Sequence, residues 1–115
     1  MQMFVLVLNR EEYLEPILEK MLEQQIGGAT ILDSTGMMRV LDSDHNVDMP
    51  MLGLLRHYFS PERRRSKTMF ALLDSHEIPK MMAIVNEVTG GLDKPDTGIA
   101  FAVPTTFVEG IEKKL

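Results

Sequence analysis

Residues 88–104 read V-T-G-G-L-D-K-P-D-T-G-I-A-F-A-V-P. Gly90 and Gly91 offer main-chain N–H groups that no side chain shields, and Lys94 adds a positive charge. Amides and a cation so placed can cradle an anion. The same letters also serve plain turn chemistry, since glycines commonly close a helix and D-K-P-D suits a turn. No Walker pattern accompanies them.

A second group is Arg63, Arg64 and Arg65, followed by Lys67. Adjacent guanidinium groups can hold a phosphate or a carboxylate through paired hydrogen bonds, or simply form a solvated face. Arg65 and Lys67 should project from the end of a strand beside a long connection. A third group is D-S-D-H-N-V-D, with His45 among Asp42, Asp44 and Asp48. Oxygen and imidazole donors at this spacing suit a divalent cation. A solvated acidic loop has the same composition, and there is no EF-hand pattern. Among the ten methionines, Met21, Met69, Met81 and Met82 fall at core positions. Met37, Met38, Met49 and Met51 gather near the long connection, where thioethers suit copper(I), an adaptable contact surface or ordinary packing. No nucleophile, base and orienting group stand out as a set, so the chain is not expected to be an enzyme.

The totals limit what these residues can serve. A chain of 115 residues supports one domain with one core, and 44% hydrophobic with 25% charged residues is ordinary for a soluble globular protein. The formal net charge of −5 argues against nucleic acid and anionic membrane as partners. The absence of cysteine removes disulfides and thiolate chemistry and suits a cytoplasmic protein. The apolar start, Met3 to Leu8, is too short for a membrane span.

Hydrophobic spacing then places the elements. M-F-V-L-V-L at 3–8 is a strand without polar alternation, so both of its faces should be buried. Leu14, Ile17, Leu18, Met21, Leu22 and Ile26 recur at helical spacing. That helix should begin near Leu14, with Asn9 and Glu12 available as a capping box and Gly27-Gly28 as its end. A second strand is expected from Ala29 to about Leu41 with a bulge at Gly36, and a third from Lys67 to Leu73. Asp74 or Ser75 should cap a second helix carrying Ile78, Met81, Met82, Val85 and Val88, which Gly90-Gly91 stop. The last strand is Gly98–Val103.

The order β-α-β-β-α-β predicts a ferredoxin-like α+β fold, one antiparallel sheet with two helices on one face. Two helices cover only one face of such a sheet, yet strands one and three are apolar on both. Another copy of the chain is the economical cover. Between strands two and three lies a long connection, residues 42–66, which is acidic, then apolar from Met51 to Phe59, then basic.

With that order, that excursion and T-G-G-x-x-x-x-D-T-G-I-A-F before the last strand, the chain resembles the PII signal-transduction family over nearly its whole length. The resemblance implies a homotrimer of ferredoxin-like subunits that binds adenine nucleotides in the clefts between them. A loop after strand two, here 42–66, would engage a target protein. It also implies that Thr89, Gly90, Asp96 and Gly98 belong to the phosphate-contacting loop, with Gly36, Met37 and Met38 at the base of the long loop beside the nucleotide. The family usually places a lysine after the glycine opening the last strand, where this chain has Ile99. Its basic residues after that strand are missing too, for nothing basic precedes Lys113. Three expectations stay open: Lys94 and Arg63–Arg65 replace that charge, the ligand is less anionic than ATP, or no nucleotide binds. A divalent- or copper-binding trimer of the cation-tolerance type and a pure assembly scaffold are the rival readings.

Overall fold

The structure is a computed structural model that describes residues 1–37, 40–41 and 65–111. Four strands and two helices follow in the order β1 (Gln2–Leu8), α1 (Leu14–Glu23), β2 (Thr30–Ser34), β3 (Ser66–Leu73), α2 (Ile78–Thr89) and β4 (Gly98–Pro104). The strands form one sheet in the order β2-β3-β1-β4, and every neighbouring pair is antiparallel. This is the α+β ferredoxin-like arrangement expected from the chain order. A crossover helix returns the chain past an intervening strand after β1 and again after β3.

Period-two alternation decides the layers. Phe4, Leu6 and Leu8 of β1 are buried, as are Met69, Ala71 and Leu73 of β3. They form one cluster with Ile17 and Met21 of α1, Ile26 just beyond it, and Met81, Ile84 and Val85 of α2. Helical residues three and four apart share a face, so Ile17 and Met21, like Met81, Ile84 and Val85, point at the sheet together. The Lys20 ammonium reaches Glu87 at 3.2 Å and ties α1 to α2 on the solvent side.

Several local expectations are corrected. Strand β2 stops at Ser34 and does not run on to Leu41. Gly36 is not a bulge: Val40 N–H donates to its carbonyl at 3.2 Å, the bond of one helical turn. Helix α1 begins at Leu14 behind a 3-10 turn whose N-cap is Arg10, not Asn9, and no side-chain hydrogen bond caps either; the Asn9 N–H that a box would use donates to the Thr97 carbonyl. The chain leaves α1 through Gln25 at φ +60, two residues ahead of the glycine pair. Leu22 is exposed and lies off the buried stripe. Asp74 does cap the lead-in to α2, in a reciprocal box with Glu77.

The opposite face of the sheet carries Met3, Val5 and Val7 of β1 against Val103, Phe101 and Ile99 of β4. On β4 the usual assignment is inverted. The small residues, Ala100 and Ala102, lie opposite the core residues Leu6 and Phe4. The large ones point away from the helices, with Ile99 59%, Phe101 47% and Val103 39% exposed. Phe70 and Leu72 of β3 extend this face. A contiguous apolar sheet face is the kind of surface that marks an interaction site.

Ile84 has no exposed surface and sits where α2 meets the sheet. Ile84→Ala should cost about 2–5 kcal/mol of unfolding free energy, read as a lower urea midpoint at unchanged slope. Phe101→Ala, on the open face, should cost an isolated protomer much less.

Candidate functional site

The candidate residues converge on one end of the sheet. Leu8 pairs with Lys67 on one side and Gly98 on the other, and Ser34 pairs with Ser66. The last residues of β1 and β2 and the first of β3 and β4 therefore share this end. Gly36 and Met37 follow β2 here, Arg65 precedes β3, and residues 89–97 join α2 to β4. Met38, Arg63, Arg64, the acidic group Asp42–Asp48, Met49 and Met51 lie outside the described residues. The two halves of the expected site are not adjacent within one chain. β2 and β4 are opposite edges of the sheet, so three strand spacings, roughly 14 Å, separate them. One small ligand touching both Met37 and the glycine loop would need a second copy of the chain.

The 89–97 loop is closed on itself. Gly90 ends α2 in the left-handed region at φ +80, and its N–H donates to the Asn86 carbonyl at 2.9 Å. Thr89 is buried. Its hydroxyl donates to the Val85 carbonyl at 2.7 Å and accepts the Gly91 N–H at 3.1 Å. Both glycine amides are thus spent on ending the helix. A side-chain carbon built on Gly91 would lie 2.6 Å from an Asp93 carboxylate oxygen, and one on Gly90 would lie 2.5 Å from Lys94 Nζ. An internal carboxylate and an internal ammonium therefore cover the two glycines. Gly98 is required for another reason: a Cβ there would strike the Val7 carbonyl on β1.

The loop returns to the sheet through two contacts. Asn9 N–H donates to the Thr97 carbonyl at 3.0 Å, and Arg10 Nε–H donates to the Asp96 carbonyl at 3.4 Å. Asp96 itself stands at φ +58, a conformation that aspartate adopts more readily than most residues. Sequence reading missed Arg10; its place directly after the first strand was the available signal.

Across the sheet, Lys67 pairs with Asp33 and joins β3 to β2. The hydrogen bond from Lys67, and then its charge, holds Asp33 below its ordinary 3.8. The same hydrogen bond raises Lys67 above 10.5. On the other face, Ser34 and Ser66 hydroxyls stand 2.7 Å apart and Thr68 donates to Ser34 at 2.8 Å. These polar links clamp the two strands that lead into and out of the long connection.

Charge is distributed unevenly at this end. Among the described residues, Arg10, Arg65 and Lys94 form no ion pair, whereas Lys20 and Lys67 are paired. Lys80, also unpaired, lies in the first turn of α2 at the far end. Three cations without an ion pair among the described residues thus stand beside one loop system, where Glu11, Glu12, Asp93 and Asp96 also lie. The metal-type grouping among the described residues is Asp74, His76 and Glu77, whose donor atoms lie within 4.8 Å of one another. It also sits at the far end, and its two carboxylates already serve the capping box. Compared with known proteins, the chain matches no family model and none of the curated sequences.

Two outcomes test the local chemistry. Gly90→Ala should lose about 1–2 kcal/mol, the cost of a side chain in the left-handed region, measured by chemical denaturation. For Lys67→Met the pH profile carries the signature. Asp33 is depressed in the fold, so its contribution is present above 3.8 and lost as pH falls through the lowered value. Lys67 is raised, so its contribution is present below 10.5 and lost as pH rises through the raised value. The variant should be slightly less stable than wild type between those limits and converge with it outside them.

Proposed function

We propose that this chain is a cytoplasmic, non-enzymatic sensor that works as a homotrimer in the manner of the PII family it resembles. An adenine nucleotide binds at the sheet end described above, in a cleft between subunits. Binding changes how residues 42–66 are presented to a protein partner. The observation that carries this reading is the meeting, at one end of the sheet, of the glycine loop, three cations without an ion pair among the described residues, and the ends of β2 and β3 that face the long connection. An anion placed there would be attracted by Arg10, Arg65 and Lys94 and would lie beside the segment it controls.

Self-association supplies what one chain lacks. The large apolar side chains of β4 face outward, and burying them against a second copy is favourable at about 25 cal/mol per Å². A second copy also overcomes the separation between the β2 and β4 edges. As a switch, the ligand must bind one arrangement of the 42–66 connection better than the other, since equal affinity shifts nothing. Of the acidic and methionine residues proposed for a metal, all but Met37 lie outside the described residues. The far-end grouping of Asp74, His76 and Glu77 adds no support for that reading, because its carboxylates are engaged in capping.

Sedimentation of the full chain should give a trimer, and Phe101→Glu should give monomers. A wild-type monomer at micromolar concentration would overturn the assembly. Adenine nucleotides, cyclic ones included, should raise the unfolding midpoint by several degrees when present at a hundredfold their dissociation constant, about 2.7 kcal/mol. They should also alter proteolysis within 42–66. A midpoint unmoved by millimolar nucleotide sinks the ligand assignment.

A further inference from the structure

Main-chain bonding alternates along the β1–β4 ladder, and its phase is fixed at both ends. Asn9 N–H donates to the Thr97 carbonyl at 3.0 Å, and Thr105 N–H donates to the Met1 carbonyl at 3.2 Å. Counting inward by twos, Val7–Ile99, Val5–Phe101 and Met3–Val103 are the hydrogen-bonded pairs. Ile99, Phe101 and Val103 therefore spend their N–H and C=O groups on β1. Gly98, Ala100 and Ala102 turn theirs outward, with no main-chain partner among the described residues. Pro104 follows in the same phase, where its missing N–H costs the sheet nothing. The same count, carried through β1 and β3, turns Thr30, Leu32 and Ser34 of β2 inward. It leaves the main chain of Ile31 and Asp33 facing out.

We propose that these two edges are complementary docking surfaces: the outer edge of β4 takes the outer edge of β2 from a second copy of the chain. The proposal deepens the self-association put forward above and rests on it only for the presence of a second copy. Direction favours the match. β2 runs antiparallel to β4 across the sheet, so two copies side by side in one orientation present an antiparallel pair. Register favours it too. Setting Ala100 against Asp33 and Ala102 against Ile31 of the second copy matches the whole of β2, Thr30–Ser34, to residues within β4. Each of those pairs then exchanges two N–H···O bonds.

The side chains agree with that register. Ala100 and Ala102 lie on the helix side of β4, opposite Leu6 and Phe4. Ile31 lies on the helix side of β2, opposite Met69, and is 38% exposed in one chain. The small alanines leave it room. On the open face Phe101 meets Leu32, itself 50% exposed, an apolar cross-strand pair of the kind that stabilises sheets. Edges that must stay single are usually guarded by charges or bulges. β4 has neither: no charged residue stands between Asp96 and Glu109, and its register with β1 is unbroken from Gly98 to Pro104. Asp33, the charge on the β2 edge, is already paired with Lys67.

The chain has no cysteine, so an engineered crosslink is a clean test. Thr30 and Val103 stand opposite each other in this register, at a pair without main-chain bonds whose Cα separation suits a disulfide. Within one chain they lie on opposite edges of the sheet and cannot meet. Full-length Thr30→Cys and Val103→Cys, mixed in oxidised glutathione, should give a crosslinked dimer containing one of each. Neither should crosslink alone. Ala102→Pro removes an outward N–H without touching the β1 ladder, and should weaken self-association in sedimentation equilibrium roughly tenfold. Ala102→Lys serves if the proline variant does not fold. No mixed crosslink, or a crosslink of Val103→Cys with itself, overturns the proposal. If Ala102→Pro assembles as tightly as wild type while Phe101→Glu still gives monomers, the edge pairing falls and association through the open face stands. If the mixed crosslink forms while no nucleotide moves the unfolding midpoint, the edge pairing stands and the nucleotide sensor falls.

Discussion

Strand β1 is paired on both of its edges, to β3 and to β4, and that double pairing fixes the position of every other element. It places Leu8 between Lys67 and Gly98 and Gln2 between Leu73 and Pro104. Once this register is set, the pleat sends Phe4, Leu6 and Leu8 to the helices and Met3, Val5 and Val7 to the other side. A slip of one residue would exchange the two sets. Gly98 belongs to the same constraint, because only a residue without a Cβ can lie so close to the Val7 carbonyl.

That register also explains why a small sheet has two apolar faces. Methionine and the aliphatic residues of α1 and α2 fill one side. On β4, alanines face the core strand's buried residues while isoleucine, phenylalanine and valine take the outer positions. Surface apolar residues scattered singly are normal in soluble proteins. An outer face whose side chains exceed the inner ones in size is a different matter, and the self-association proposed above would give it a purpose. The hydroxyl cluster of Ser34, Ser66 and Thr68 limits the apolar patch on the β2 side.

The candidate site residues gather where the pairing ends. Helix α2 stops at Gly90 through contacts made by Thr89, so the glycine pair serves the helix first. What remains available there is charge. Lys94 comes from the loop itself, Arg10 from the end of β1 and Arg65 from the start of β3. Their gathering follows from topology, since each flanks a strand end on the same side of the sheet.

Element order, helix starts, buried methionines and the two-faced sheet were all legible in the sequence, because hydrophobic period and turn residues are local signals. M-F-V-L-V-L, the α2 stripe and the Asp74 cap stand where those signals put them. Less legible were features set by partners distant in the chain. Strand β2 ended early at Ser34, where its pairing with β3 runs out at Ser66, and α1 left through Gln25 before reaching its glycines. The glycine loop read as an amide cradle because sequence shows donors without their acceptors. Only the folded chain brought the Asn86 carbonyl and the Thr89 hydroxyl to those donors, and Arg10, 86 residues earlier, to the Asp96 carbonyl. Residue types and periods determined which surfaces must be buried; long-range register decided which polar groups were left free to act.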